Sequence, residues 1–215
     1  KTPLKIGSEL PLLQILPGNT AFSWGAIETS QDSVTLKATN SEGNSYHITY
    51  SINNSNNLIN IELEQLNGDV TNTDIRIINV LTRADRLTNQ QNVLEAVTVS
   101  EGEHGELKHQ KHVGPWKNEK IVPRGTSLLS LSERYFCESI KPVGQTASVR
   151  LLISPADSIA TESRLKFISQ SGSVARATMT VYVGPRDYFY LKRAGFESAF
   201  PIGILGKIGL MMLTF

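Results

Sequence analysis

The side chains best suited to chemistry are few and scattered. His104, His109 and His112 stand five and three residues apart in a stretch, 100 to 126, that also carries Gly102, Gly105, Gly114, Pro115, Pro123 and Gly125. Ligands three or four residues apart meet one ion chiefly on a helix, and those glycines and prolines argue against one. A zinc site also needs three or four ligands held by supporting contacts. The stretch is therefore expected to be a solvated loop, with no metal ligand assigned. Cys137 is the single cysteine, so an intramolecular disulfide and a paired-cysteine zinc site are both excluded. Its ordinary fate is to pack as a small core residue, because a catalytic thiolate needs a histidine brought beside it by the fold. His47 alternates with Tyr46 and Ile48, which points it away from their apolar row and toward solvent. No acid and base can be assigned to face each other across a substrate. The residues alone thus name no catalytic, cofactor-binding or metal-binding group, and the chain is expected not to be an enzyme.

Composition narrows the partners. Charged residues make up 19% of the 215 and the formal net charge is +1, so no basic field exists to neutralise a row of phosphates, and nucleic acid is not an expected partner.

The elements that must position these groups read as strands. Val34, Leu36 and Ala38 alternate with Thr35 and Lys37; after the turn-forming stretch Asn40 to Ser45, Tyr46, Ile48, Tyr50 and Ile52 resume the alternation. The pair predicts a hairpin. Ile59, Ile61 and Leu63 alternate with Asn60, Glu62 and Glu64, and Ile75 and Ile77 follow the turn at Asn67-Gly68-Asp69. Val93, Val97 and Val99 suggest another strand, with Glu95 breaking its apolar face. Ala175, Ala177, Met179, Val181 and Val183 alternate with Arg176, Thr178, Thr180 and Tyr182. So many short strands with one wet face, and so little helix, predict an all-β sandwich. Residues 128 to 140 fit helical spacing as well as extended structure, and Pro142 with the strand-rich context favours the extended form.

After Val183 the period changes. Gly184-Pro185 ends the strand, because proline has no ladder donor and suits the first turn of a helix. Phe189, Phe196 and Phe200 are spaced by seven and four, which on a continuous helix over 186–200 places them on one side. Lys192 and Arg193 flank that stripe. The sequence predicts an amphipathic interfacial helix with its rings at the acyl boundary and its charges at the headgroups; a helix packed against the sandwich fits the same stripe. The run from Ile202 to Phe215 is apolar except for its glycines, Lys207 and Thr214. Fourteen helical residues rise about 21 Å, short of the ~30 Å of hydrocarbon. The run reads either as a buried core helix or as the approach to a transmembrane helix, the chain being an excised domain of a membrane protein. Two units result, 1–185 as a β domain and 186–215 as the interfacial helix leading to the next membrane helix.

Two segments together carry a family resemblance. Arg134-Tyr135-Phe136-Cys137-Glu138-Ser139-Ile140-Lys141-Pro142 resembles the Tyr-Phe-centred, proline-terminated segment in the periplasmic domain of YidC membrane protein insertases. Val181-Tyr182-Val183-Gly184-Pro185-Arg186-Asp187-Tyr188 resembles that family's Tyr/Trp-Val-Gly-Pro-Lys element. Their order and spacing also match, which makes Tyr135, Phe136, Pro142, Tyr182, Val183, Gly184 and Pro185 the motif residues. The resemblance covers residues 134 to 215 well and 1 to 133 only in general β-rich character. It implies an antiparallel β-supersandwich similar to galactose-mutarotase-like domains, on the periplasmic side of the bacterial inner membrane. It also implies an accessory role in insertion and folding of membrane proteins, with Sec translocon components and nascent membrane proteins as partners. No cofactor is implied. A carbohydrate-binding or mutarotase-like supersandwich is the competing expectation, although a fold likeness confers no activity. An envelope adhesin is a third, suggested by the Asn/Ser/Thr-rich strands.

Overall fold

Alternation along the strands decides the architecture, and the wet and dry faces it predicts are both present. The computed structural model describes residues 13–17, 22–40, 43–53, 55–67, 74–82, 95–102, 104, 106–113, 120–122, 125–133, 135–143, 146–152, 158–166 and 175–200. The strands there form two antiparallel sheets. The larger has nine strands in the order β2 (Phe22–Thr29), β3 (Ser33–Asn40), β4 (Ser45–Asn53), β5 (Leu58–Gln65), β14 (Ala175–Pro185), β11 (Phe136–Val143), β10 (Thr126–Ser132), β7 (Glu95–Glu101) and β8 (Leu107–Val113). The smaller has five, in the order β1 (Leu13–Pro17), β6 (Asp74–Thr82), β13 (Ser158–Lys166), β12 (Thr146–Leu152) and β9 (Lys120–Val122).

Register puts the apolar residues of the large sheet in rows across one face. Met179 lies opposite Ile61, which lies opposite Tyr50, and Ala177, Leu63 and Ile48 form the next row. With Tyr46, Ile140 and Val181 these residues make a buried cluster. The two sheets approach each other where β12 meets β10, and layers with one apolar side each bury it by packing in this way. The opposite face is wet along β3 to β5 and along β14 as far as Thr180, beyond which the buried Tyr182 begins. Along it Lys37, His47, Glu64 and Arg176 stand in one cross-strand row, and Thr35 and Thr49 share a 3.0 Å hydrogen bond.

The expected hairpin is the β3–β4 pair, with Gly43 supplying a positive φ of 82° in the turn. The segment around Cys137 is extended, as β10 and β11 paired antiparallel. The loop expected over residues 100 to 126 is corrected: residues 107–113 are β8, the edge of the large sheet, and 120–122 are β9. From Leu107 to Lys111 every side chain of β8 is exposed, so neither face carries an apolar row by which a strand is recognised. Val93 and the run 202–215 lie outside the described residues. No described helix is long and apolar enough to cross a membrane.

Candidate functional site

The end of β14 explains why the Tyr-Val-Gly-Pro sequence is built as it is. Tyr182 and Gly184, two residues apart, share a face of the strand. The buried Tyr182 ring leans along that face until its hydroxyl donates to the Pro185 carbonyl at 2.8 Å. A Cβ on Gly184 would meet the Tyr182 Oη at 2.9 Å and the Nδ2 of Asn57 at 3.2 Å. Glycine is thus what lets the ring cover the strand end. Gly184→Ala is expected to cost about 1–3 kcal/mol by overpacking, measured by urea denaturation, and to cost less in a Tyr182→Phe background, where the nearest atom is gone. Equal costs in both backgrounds would show that the clash is not with the hydroxyl. Cys137 faces Gly184 across the ladder. Burial pushes its thiol up to about 12, so the thiolate that nucleophilic chemistry requires is scarce at neutral pH.

Arg186, the next residue, fastens the strand end to the rest of the sheet. Its backbone N–H donates to Tyr135 O at 2.9 Å and its guanidinium to Glu133 O at 3.2 Å. It also pairs with Glu95, which in turn accepts Lys111 at 2.7 Å. Its guanidinium lies 5.6 Å from the centre of the Phe200 ring. Glu95, whose charge interrupts an apolar strand, is therefore the anchor that joins β14 to β7 and β8. Sequence reasoning noted the interruption and missed its partner, because the two residues are ninety-one positions apart.

Asp187 then caps a short helix, α1 (Tyr188–Arg193), its carboxylate accepting from the N–H groups of Phe189 and Tyr190. The continuous helix expected over 186–200 is corrected here. The Phe196 N–H donates to Leu191 O at 2.7 Å and the Gly195 N–H to Lys192 O at 3.1 Å, with Gly195 at φ 77°. That is a Schellman termination, completed by the apolar contact it favours, Leu191 with Phe196. A 3-10 turn, Glu197–Ala199, follows.

The break sorts the predicted interface residues. Phe196 is 1% exposed and packs with Tyr182, Val97, Val99 and Leu128, its ring 5.9 Å from that of Tyr182. Phe200 is half-buried against the same cluster. Phe196, so seated, has no surface to offer lipid. Phe189 is 52% exposed, and Lys192 and Arg193 are exposed. Beside them is Tyr190, 50% exposed and outside the phenylalanine spacing. Among the motif residues, Tyr135 is 67% exposed where Arg186 binds its carbonyl, Phe136 pairs with Pro185, and Pro142 with Met179. Val183 packs against the buried cluster of the large sheet.

The wet face offers the other candidate group. His47 stands between Lys37 and Glu64 in register, and Arg176 holds Glu64 at 2.7 Å. Among the described residues no cluster of His, Cys, Asp or Glu could hold a metal ion.

With this geometry in place, comparison with known proteins separates fold from family. A proposed aldose 1-epimerase from Escherichia coli K12 is similar at TM-score 0.53 and 11% identity, over 75% of this chain and 68% of that one. A galactose mutarotase-like protein from Lactobacillus casei ATCC 334 matches at TM-score 0.48 and 10% identity, over 76% and 73%. A GH36 alpha-galactosidase from Geobacillus stearothermophilus matches at TM-score 0.48 and 11% identity, over 89% and 30%. At such identities the first of these speaks for the fold, a mutarotase-like supersandwich, and for nothing more. No curated protein matches in sequence. The family model of the YidC periplasmic domain matches residues 16–214, nearly the whole chain, both motif segments and the junction that they build, and implies a periplasmic place in a membrane protein. The chain belongs to the YidC periplasmic domain family.

Proposed function

We propose that this domain is the accessory module of an inner-membrane protein insertase, that it catalyses no reaction, and that it assists insertion and folding of membrane proteins alone or with Sec translocon components. In this reading α1 rests on the membrane surface and sets the height of the sandwich above it. The observation that carries the reading is the junction. The last strand ends in the family's Gly-Pro element, is locked by Arg186, and hands the chain to a helix with Phe189 and Tyr190 facing outward. The apolar run 202–215 follows directly in sequence. Large aromatic side chains left in water are a cost that a partner surface relieves.

The test is complementation with the full-length insertase. Phe189→Ser with Tyr190→Ser is expected to slow client insertion several-fold, whereas Lys37→Ala, on the distant wet face, leaves it at the parental rate. Parental insertion by the aromatic double variant would remove the junction from the mechanism.

A further inference from the structure

We propose that the outward surface of α1, together with Tyr135, binds the anionic phospholipid headgroups of the bilayer, not merely its apolar edge. The inference rests on the membrane-surface reading above and adds a lipid class to it.

Three observations carry it. Among the described residues, the exposed large aromatic side chains are Tyr135, Phe189 and Tyr190, and all three belong to this junction. Two of them are tyrosines, whose apolar body and polar tip suit the depth of headgroups.

Beside them stand two exposed cations, Lys192 and Arg193. Lys192 Nζ lies 6.0 Å from the centre of the Tyr188 ring, and the Arg193 guanidinium 5.9 Å from that of Tyr190. No carboxylate among the described residues pairs with either. Asp187, the acid on the same turn, spends its side chain on capping Phe189 and Tyr190, and Glu197 is the other acid nearby. The guanidinium of Arg186 is turned inward to Glu95 and Glu133. Two cations on aliphatic stems above exposed rings can reach phosphates while the rings stay at the acyl boundary.

The whole chain carries a formal net charge of only +1, so overall charge supplies little attraction to an anionic surface and the weight falls on local cations such as this pair. The following run, Ile202 to Phe215, holds Lys207 as its single charged residue. That run can supply apolar affinity, but headgroup discrimination falls mainly to Lys192 and Arg193.

The experiment uses the full chain in flotation with vesicles of phosphatidylcholine alone or with roughly one-third phosphatidylglycerol, where each juxtamembrane charge is expected to change partitioning roughly fivefold. The parent should prefer the phosphatidylglycerol vesicles and lose that preference in high salt. Lys192→Ala and Arg193→Ala should each reduce the preference without changing binding to phosphatidylcholine. Phe189→Ser with Tyr190→Ser should weaken binding to both vesicles, and Lys37→Ala should change neither. Thermal melts identify any variant that folds poorly, for which Lys192→Gln and Arg193→Gln are substituted. A phosphatidylglycerol preference untouched by loss of both charges overturns the headgroup inference and leaves the membrane reading standing. Binding unaffected by the aromatic pair as well, or no binding by the parent, overturns both.

Discussion

Phe196→Ala will lower the unfolding free energy by about 3–5 kcal/mol, the usual loss when a large aromatic is cut from a core. Phe196 is enclosed by Tyr182, Leu191, Val97, Val99 and Leu128, so its removal leaves a cavity that the sheet cannot close. The same cut frees the Schellman turn from its apolar contact, and limited proteolysis after Arg193 should become faster. Phe189→Ala, at an exposed position seven residues earlier, should change stability by less than about 0.5 kcal/mol. Urea denaturation of the two variants measures the contrast. Similar small losses in both would mean that the two rings share an outer surface, as an unbroken helix over 186–200 would have placed them.

Glu138→Gln will stabilise the domain at alkaline pH and leave it nearly unchanged in acid. Glu138 is 1% exposed, on β11 opposite Leu131 and Val183, and burial pushes its carboxyl from 4.5 up to about 8. The folded state therefore holds a proton that the unfolded chain releases near 4.5. Stability is full below that value and falls as pH rises toward 8, after which the penalty is constant. At pH 7 the penalty is about 3 kcal/mol and at pH 9 about 5 kcal/mol. Glutamine has no proton to lose, so the difference between variant and parent should grow across this window while other titrations cancel. A difference that stays flat from pH 4.5 to 9 would place the charge of Glu138 in a solvated setting and defeat the prediction.

Much of the large sheet was legible because one of its faces is wet. Ile59, Ile61 and Leu63 could be told from Asn60, Glu62 and Glu64 only because water selects the second set. β8 lacked that contrast: Leu107, Lys108, His109, Gln110 and Lys111 are exposed on both faces, and pairing with β7 alone makes them a strand. The junction was legible in its position and not in its shape. Gly195 was visible, and a glycine between Leu191 and Phe196 at these offsets is the sequence sign of a Schellman end; the seven-and-four spacing of the phenylalanines drew attention to a helix that Gly195 terminates. The motif segments were readable as a family likeness, whereas the reason for their glycine, the folded-back Tyr182 ring, required coordinates. Nothing in local sequence pairs Arg186 with Glu95, since only the β14–β11–β10–β7 order brings them together.

The Arg186–Glu95 pair has side chains only 18% and 12% exposed, whereas Lys108 and Glu106 pair in the open. Mobile ions weaken the second kind of attraction readily and the first kind little. A domain outside the cytoplasm meets whatever salinity the surroundings impose. Its clasp between the end of β14 and β7 should hold through osmotic swings that loosen its periphery.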